Sequence, residues 1–338
     1  MVHNGLPKGG RVFVVTPVKA ELIFEYEEHS TDGFVAAVMF VMSVIAILSN
    51  SYLIYKTSKT KVFGHFFGNV VISHSVVEIL GSIIVLFFFT SYIYFDYVPY
   101  HWLNTSLTTI FFFNLTVNYL LHLVTSVNRC FAVYFPFTYE TIFDKLRSVT
   151  ITSVLVIVSA VIITAMPFLN NCSQLIFSRY RYDLQPLGCD TAEEWVLQKR
   201  TAHSILYSIL LIWAVVTIAA LVIDIVTLIK LLLLSKKLKL NRKSYFFYRN
   251  LRFFLQTFFL NFIVCSGVAA THFLVEDFDS PFSRFWFAHF QVLLGFIIDG
   301  VTPILVNREL RPFKTNRLFS VSKSVRPNPN YNSHHHCR

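Results

Sequence analysis

The sequence predicts an all-α membrane protein, a bundle of seven transmembrane helices with its N-terminus outside and its C-terminus in the cytosol. Three observations carry this. The 338 residues are 54% hydrophobic and 14% charged, and 36 of them are Phe, more apolar surface than a soluble fold of this length covers with polar groups. Apolar runs of roughly 20 residues or more recur along the chain, as a hydrocarbon core about 30 Å thick requires at about 1.5 Å per residue. The cations are lopsided: of 29 Lys and Arg, 21 fall on one side of the alternating loops and tail, which the positive-inside rule makes the cytosolic side. The net charge of +10 is then a topology signal, and no nucleic-acid partner is expected.

The elements follow in order. Residues 1–33 form an outer N-terminal segment. Within it Val12–Val18 is too short, and too interrupted by Pro17, for a cleavable signal peptide, so the first span is expected to insert the chain. The seven-helix domain occupies 34–306, with spans near 34–55, 66–95, 105–127, 149–169, 203–234, 253–275 and 285–306. No internal repeat is visible, which tells against a transporter, since many transporter folds repeat. Pro167 ends or kinks span 4 and Pro303 interrupts span 7 by removing an internal hydrogen bond. A bend in span 6 would have to come from Ser266-Gly267. The longest inner loop, "SKKLKLNRKSYFFYRNL" at 235–251, suits an anionic leaflet, where each cation contributes about 1 kcal/mol, or a docking partner protein. Residues 307–338 form a cytosolic tail. Its start, "NRELRPFKTNR" with the following Leu318, interleaves charges with Leu310, Phe313 and Leu318 and could lie along the membrane surface as a short helix. The polar remainder is expected to be disordered. Adjacent imidazoles at His334, His335 and His336 in such a tail bind metal weakly, so no metal or cofactor is expected.

Cys172 and Cys189 flank the second outer loop, in a compartment where a bridge persists. A disulfide between them would constrain the loop by about 3 kcal/mol; two free or separately paired thiols are the alternative. Asn104-Thr105-Ser106 and Asn171-Cys172-Ser173 match the glycosylation sequon near the outer face, making Asn104 and Asn171 candidates. Asn114-Leu115-Thr116 matches too, but lies inside a span.

Polar groups within spans cost at least a few kcal/mol when ionisable, and each is a functional candidate. They are Asn50 in span 1, Glu78 in span 2, Asn114 and Asn118 in span 3, Asp224 in span 5 and Asp299 in span 7. Asn114 and Asn118, four apart, share a helix face. One reading is an interior network in which Glu78 and Asp299 share a proton or cation with Asn50 and Asn118. The other is ordinary interhelical hydrogen bonding, about 0.6–2 kcal/mol per bond. Arg129 closes span 3 in "SVNRCFAVYFPF", at a depth comparable with Asp224, which sits about 9 Å of helix rise before Lys230. These two are expected to pair at rest, unless Asp224 bonds hydroxyls or snorkels beside Lys230.

Seven spans, Arg129 at the end of span 3 and Pro136 just beyond it resemble a rhodopsin-like G-protein-coupled receptor. "SVNRCFAVYFPFTYETIF", "IDIVTLIKLLL", "NLRFFLQTFFLNF" and "DGVTPILVNRELR" more specifically resemble nematode serpentine chemoreceptors of the Srg superfamily, most closely the Srx type, over about 34–312. The resemblance implies a chemosensory receptor for a small environmental molecule or pheromone. It also implies a heterotrimeric G protein as partner, with Arg129 coupling conformation to signalling, in the plasma or sensory cilium membrane. The sequence departs from the rhodopsin-like pattern in three places. Asn128 replaces the acid before the arginine. Asp299-Gly300 with Pro303 only loosely echoes the span 7 signature. No cysteine opens span 3, so Cys172–Cys189 would substitute for the usual bridge.

The ligand pocket is expected to open outward among spans 3, 5, 6 and 7. Candidates are Trp102, Thr105, His203, Tyr207, His272, Trp286, His289 and Gln291, which also suit membrane-interface anchoring. Span 7 has no lysine, which excludes a retinal Schiff base. No nucleophile–base pair, metal-ligand spacing or phosphate-cradling glycine loop points to an enzyme. The competing readings are a ligand-gated channel or transporter using Glu78, Asp224 and Asp299, and a receptor co-subunit without its own ligand. Oligomerisation is left open.

Overall fold

The computed structural model describes residues 31–60, 65–95, 99–143, 145–169, 174–179, 182–187, 194–237, 254–255, 258–269, 280–307 and 309–311. Span 1 is α1 (Asp32–Lys59). Span 2 is α2 (His65–Ile84), one π turn (Val85–Phe89) and α3 (Thr90–Tyr94). Span 3 is α4 (His101–Tyr134). A single turn, α5 (Tyr139–Ile142), leads to α6 (Lys145–Leu169), the place of span 4. A hairpin of β1 (Gln174–Ser178) and β2 (Asp183–Leu187) precedes α7 (Glu194–Lys237), which holds span 5. The sixth apolar helix, α8, covers Phe258–Ala269, and span 7 is α9 (Pro281–Phe285), a π turn (Trp286–Phe290) and α10 (Gln291–Val306).

Five of these helices are long and apolar enough to cross a bilayer, and Val149–Val161 and Phe258–Ala269 are shorter apolar helices where spans 4 and 6 were expected. The polarity is inverted relative to a soluble bundle. Leu48, Phe87, Val215 and Leu305 face outward, while Asn50, Glu78, Asn118, His122, Asp224 and Asp299 are buried between helices. Lipid explains both halves, since polar side chains satisfy one another only inside the bundle. Span 3 is the central helix. Of its most apolar stretch 61% is buried, against 28–39% for the other long spans, and it packs on spans 2, 4 and 5 and on the hairpin.

Two glycines let span 7 approach closely. A Cβ on Gly300 would stand 2.5 Å from Ser49 Oγ and 3.1 Å from Asn50 Cγ, and one on Gly81 would meet the Phe296 ring at 3.0 Å. Through the first contact, Asn50 Nδ2 reaches across to donate to the carbonyl of Phe296 at 3.0 Å. Pro303 is buried inside α10, and the helix continues past it to Val306.

The π turns and the hairpin carry no signal in the hydropathy pattern. The hairpin runs antiparallel, Gln174 opposite Leu187 and Ser178 opposite Asp183. Tyr182 at its turn has φ 47°, a strained region for a non-glycine residue. The turn is held by its side chain: Tyr182 Oη bonds Asp32 at the head of span 1, and Arg179 Nη2 pairs with the same carboxylate at 3.0 Å. Burial pushes the Tyr182 phenol up, keeping it a donor.

Candidate functional site

At the hairpin end, the carboxamide of Asn104 is buried and fully used. Its Nδ2 donates to the carbonyl of Phe177 at 3.0 Å, and its Oδ1 accepts from the Phe177 N–H at 2.9 Å. Asn104, a glycosylation candidate, thus has its carboxamide turned into the bundle and away from the surface. The paired bonds drive Phe177 of β1 into the bundle. Its ring stacks on Phe89 at 4.3 Å, meets His289 edge-on at 5.3 Å and is fully buried. Phe111 and Phe89 close the same aromatic chamber. Both ring nitrogens of His289 are buried with the Tyr182 backbone as a polar neighbour, so a polar handle sits inside a largely apolar cage.

The other pocket candidates divide. Gln291 lines a cavity of about 40 Å³, room for a few waters, between spans 3, 6 and 7, together with Asn118, Tyr119 and Asp299. Trp286 packs on Phe282 and Phe290. Trp102 is 66% exposed and Thr105 lies 3.4 Å from His101 on the same exposed side; both therefore face away from the chamber. His203 and Tyr207 lie on α7, but their side chains fall outside the described residues, as do His272, Asn171, Cys172 and Cys189. On span 5, Trp213 Nε1 donates to Thr116 Oγ1 of span 3 at 3.2 Å, joining the two helices below the chamber.

In mid-bundle the expected polar network acquires two histidines. His74 Nδ1 lies 3.4 Å from Glu78 Oε1 and 3.9 Å from Asp299 Oδ2, and His122 Nε2 lies 3.2 Å from the same Asp299 oxygen. The imidazoles stand edge to face, 4.5 Å apart. Asn50 donates to the Phe296 carbonyl of span 7 and also acts on Glu78, and Asn114 is buried one turn before Asn118.

At the opposite end Arg129 is buried, its guanidinium 5.1 Å from the Phe67 ring centre and 5.7 Å from that of Phe254, within the range of cation–π attraction. Asp224, its expected partner, lies on span 5. Asp224 acts on Arg129 through Coulombic attraction, while its Oδ2 accepts from Asn261 Nδ2 at 2.6 Å and Asn261 also donates to Ser126 Oγ at 2.9 Å. Spans 3, 5 and 6 are thus joined one turn from the arginine. Asn128 accepts a hydrogen bond from Tyr139 Oη at 2.8 Å. Burial pushes the Tyr139 phenol up, so the phenol stays the donor. Pro136 is exposed in the turn that brings Tyr139 back to span 3.

Over residues 40–307 the sequence matches the family described as serpentine type 7TM GPCR chemoreceptor Srx. The chain belongs to this family. No curated protein matches it.

The receptor is therefore a multi-pass membrane protein of a chemoreceptor family, which is not a family of enzymes. Four residues that shape its interior were not singled out from the sequence: His74, His122, Asn261 and Phe177. Spacing could have flagged the histidines. His122 continues the Asn114–Asn118 face by one more turn, and His74 precedes Glu78 by four. Asn261 lay in plain sight as the polar residue in "QTFFLNF". Nothing local marks Phe177, one of 36 phenylalanines.

Proposed function

We propose that the receptor binds a small molecule at its hairpin end and activates a heterotrimeric G protein at its arginine end, with the N-terminus outside the cell. The observation that carries this is the Ser126–Asn261–Asp224 junction beside Arg129. It holds spans 3, 5 and 6 together, so any state that separates the inner ends of spans 5 and 6 must break it and uncover Arg129. A ligand shifts that balance only by its differential affinity for the two states.

The ligand site is the chamber of Phe89, Phe111 and His289, and Phe177 fills it at rest. Binding therefore displaces the Phe177 ring, and the ligand is aromatic or apolar with one group able to bond His289. The receptor resides in the plasma membrane or the membrane of a sensory cilium. The test is expression in a G-protein reporter cell with a panel of small volatile and pheromone-like molecules. Wild type should respond to at least one, and Arg129→Ala should abolish the response at equal surface expression. A response untouched by Arg129→Ala, or an evoked current persisting after G-protein blockade, would sink this reading in favour of a channel.

A further inference from the structure

We propose that His74, His122, Glu78 and Asp299 form a binding site for one divalent transition-metal ion, with Zn²⁺ the best fit. The donors come from spans 2, 3 and 7, so no single sequence motif contains all four. One donor atom from each of His74, His122 and Asp299 falls in a group within 4.8 Å, and Glu78 Oε1 adjoins it 3.4 Å from His74 Nδ1.

Geometry supports a tetrahedral ion. Ligands about 2.0–2.2 Å from zinc in a tetrahedron lie roughly 3.3–3.6 Å from one another. The neighbouring donor pairs here are separated by 3.2, 3.4 and 3.9 Å. The three-residue group as a whole lies within 4.8 Å, so an ion would draw the donors inward.

The donors are also poorly satisfied. His122 Nε2, both oxygens of Glu78 and Asp299 Oδ2 are buried without a well-aligned hydrogen bond and have chiefly one another as polar neighbours, an expensive state in the middle of a membrane. Two carboxylates supply the −2 charge that a divalent cation cancels. Two imidazoles select for Zn²⁺ and its transition-metal neighbours over Na⁺, Mg²⁺ and Ca²⁺, which prefer all-oxygen sites. The small cavity lined by Asn118, Gln291 and Asp299 reaches one donor. Bound there, the ion would tie span 7 to spans 2 and 3 and favour whichever receptor state keeps these donors together. This site is separate from the ligand chamber and does not depend on which ligand or G protein the receptor uses.

The test uses full-length receptor in lipid nanodiscs, with His334, His335 and His336 changed to Ala so that the tail imidazoles cannot compete. Zn²⁺ is titrated against a fluorescent chelator, and Co²⁺ binding is followed by visible absorption. One Zn²⁺ per chain is expected, with tetrahedral Co²⁺ bands. His122→Ala and Asp299→Asn should each weaken zinc at least about tenfold, since even the loss of an outer partner of a ligand costs about 10–100-fold. Should either variant fail to fold, the Co²⁺ spectrum of the unvaried site still decides. Absence of stoichiometric binding, an octahedral spectrum, a thiolate charge-transfer band or thermal stabilisation by Na⁺ alone would each overturn the proposal.

Discussion

Asn128 stands where the rhodopsin-like resemblance implies an acid, and here its side chain bonds a neighbouring tyrosine. Its oxygen accepts from Tyr139, eleven residues further on, so the short helix α5 is pinned beside Arg129 without any charge at 128. Restoring the charge should change the resting state. Asn128→Asp keeps the acceptor for Tyr139 and adds a carboxylate next to the guanidinium, where a charge-assisted bond contributes about 1.5–3 kcal/mol. Ligand-free signalling per surface receptor should therefore fall. Tyr139→Phe should do the reverse, since it leaves the Asn128 oxygen buried and unbonded at a cost of about 1–3 kcal/mol. Reporter output from the two variants without ligand checks the idea, and a shift in the same direction for both would refute it. The place of Arg129 in "SVNRC" and its shared depth with Asp224 were readable in the sequence. The aromatic rings against its guanidinium were not, because Phe67 and Phe254 approach from two other helices.

At the scale of elements, the approach of span 7 to span 1 decides which polar groups meet. Gly300 is packed on Ser49 and Asn50 with no room for a methyl group. Gly300→Ala should push the helices apart and weaken the Asn50 bond to the Phe296 carbonyl. The melting temperature in detergent should drop by several degrees, as about 1–3 kcal/mol of overpacking implies. Adding Ser49→Ala removes the nearest clashing atom and should recover part of the loss; no recovery would show that the strain lies elsewhere. The hairpin is the other decisive element. Neither its strands nor its descent into the bundle follows from hydropathy. It is placed by Asn104 bonding the backbone of Phe177 and by Asp32 holding Arg179 and Tyr182, contacts between residues at least 73 apart.

For the whole molecule, the charge asymmetry makes a direct forecast of orientation. An epitope tag placed before Met1 should be reached by antibody on intact cells, and one placed after Arg338 only after permeabilisation. The opposite pattern would invert the proposed ligand and G-protein sides. Hydropathy and charge by themselves determined that lipid is the solvent, that seven helices cross it and which residues are too polar to face it. Those are sums over single side chains, and a sum needs no partner. Only the tertiary structure decided that His74 and His122 join Glu78 and Asp299, that Asn261 bridges Asp224 to Ser126, and that Phe177 fills the aromatic chamber. The reason is geometric: a helical repeat tells which residues share one face, while the register, tilt and closeness of neighbouring helices determine what that face meets.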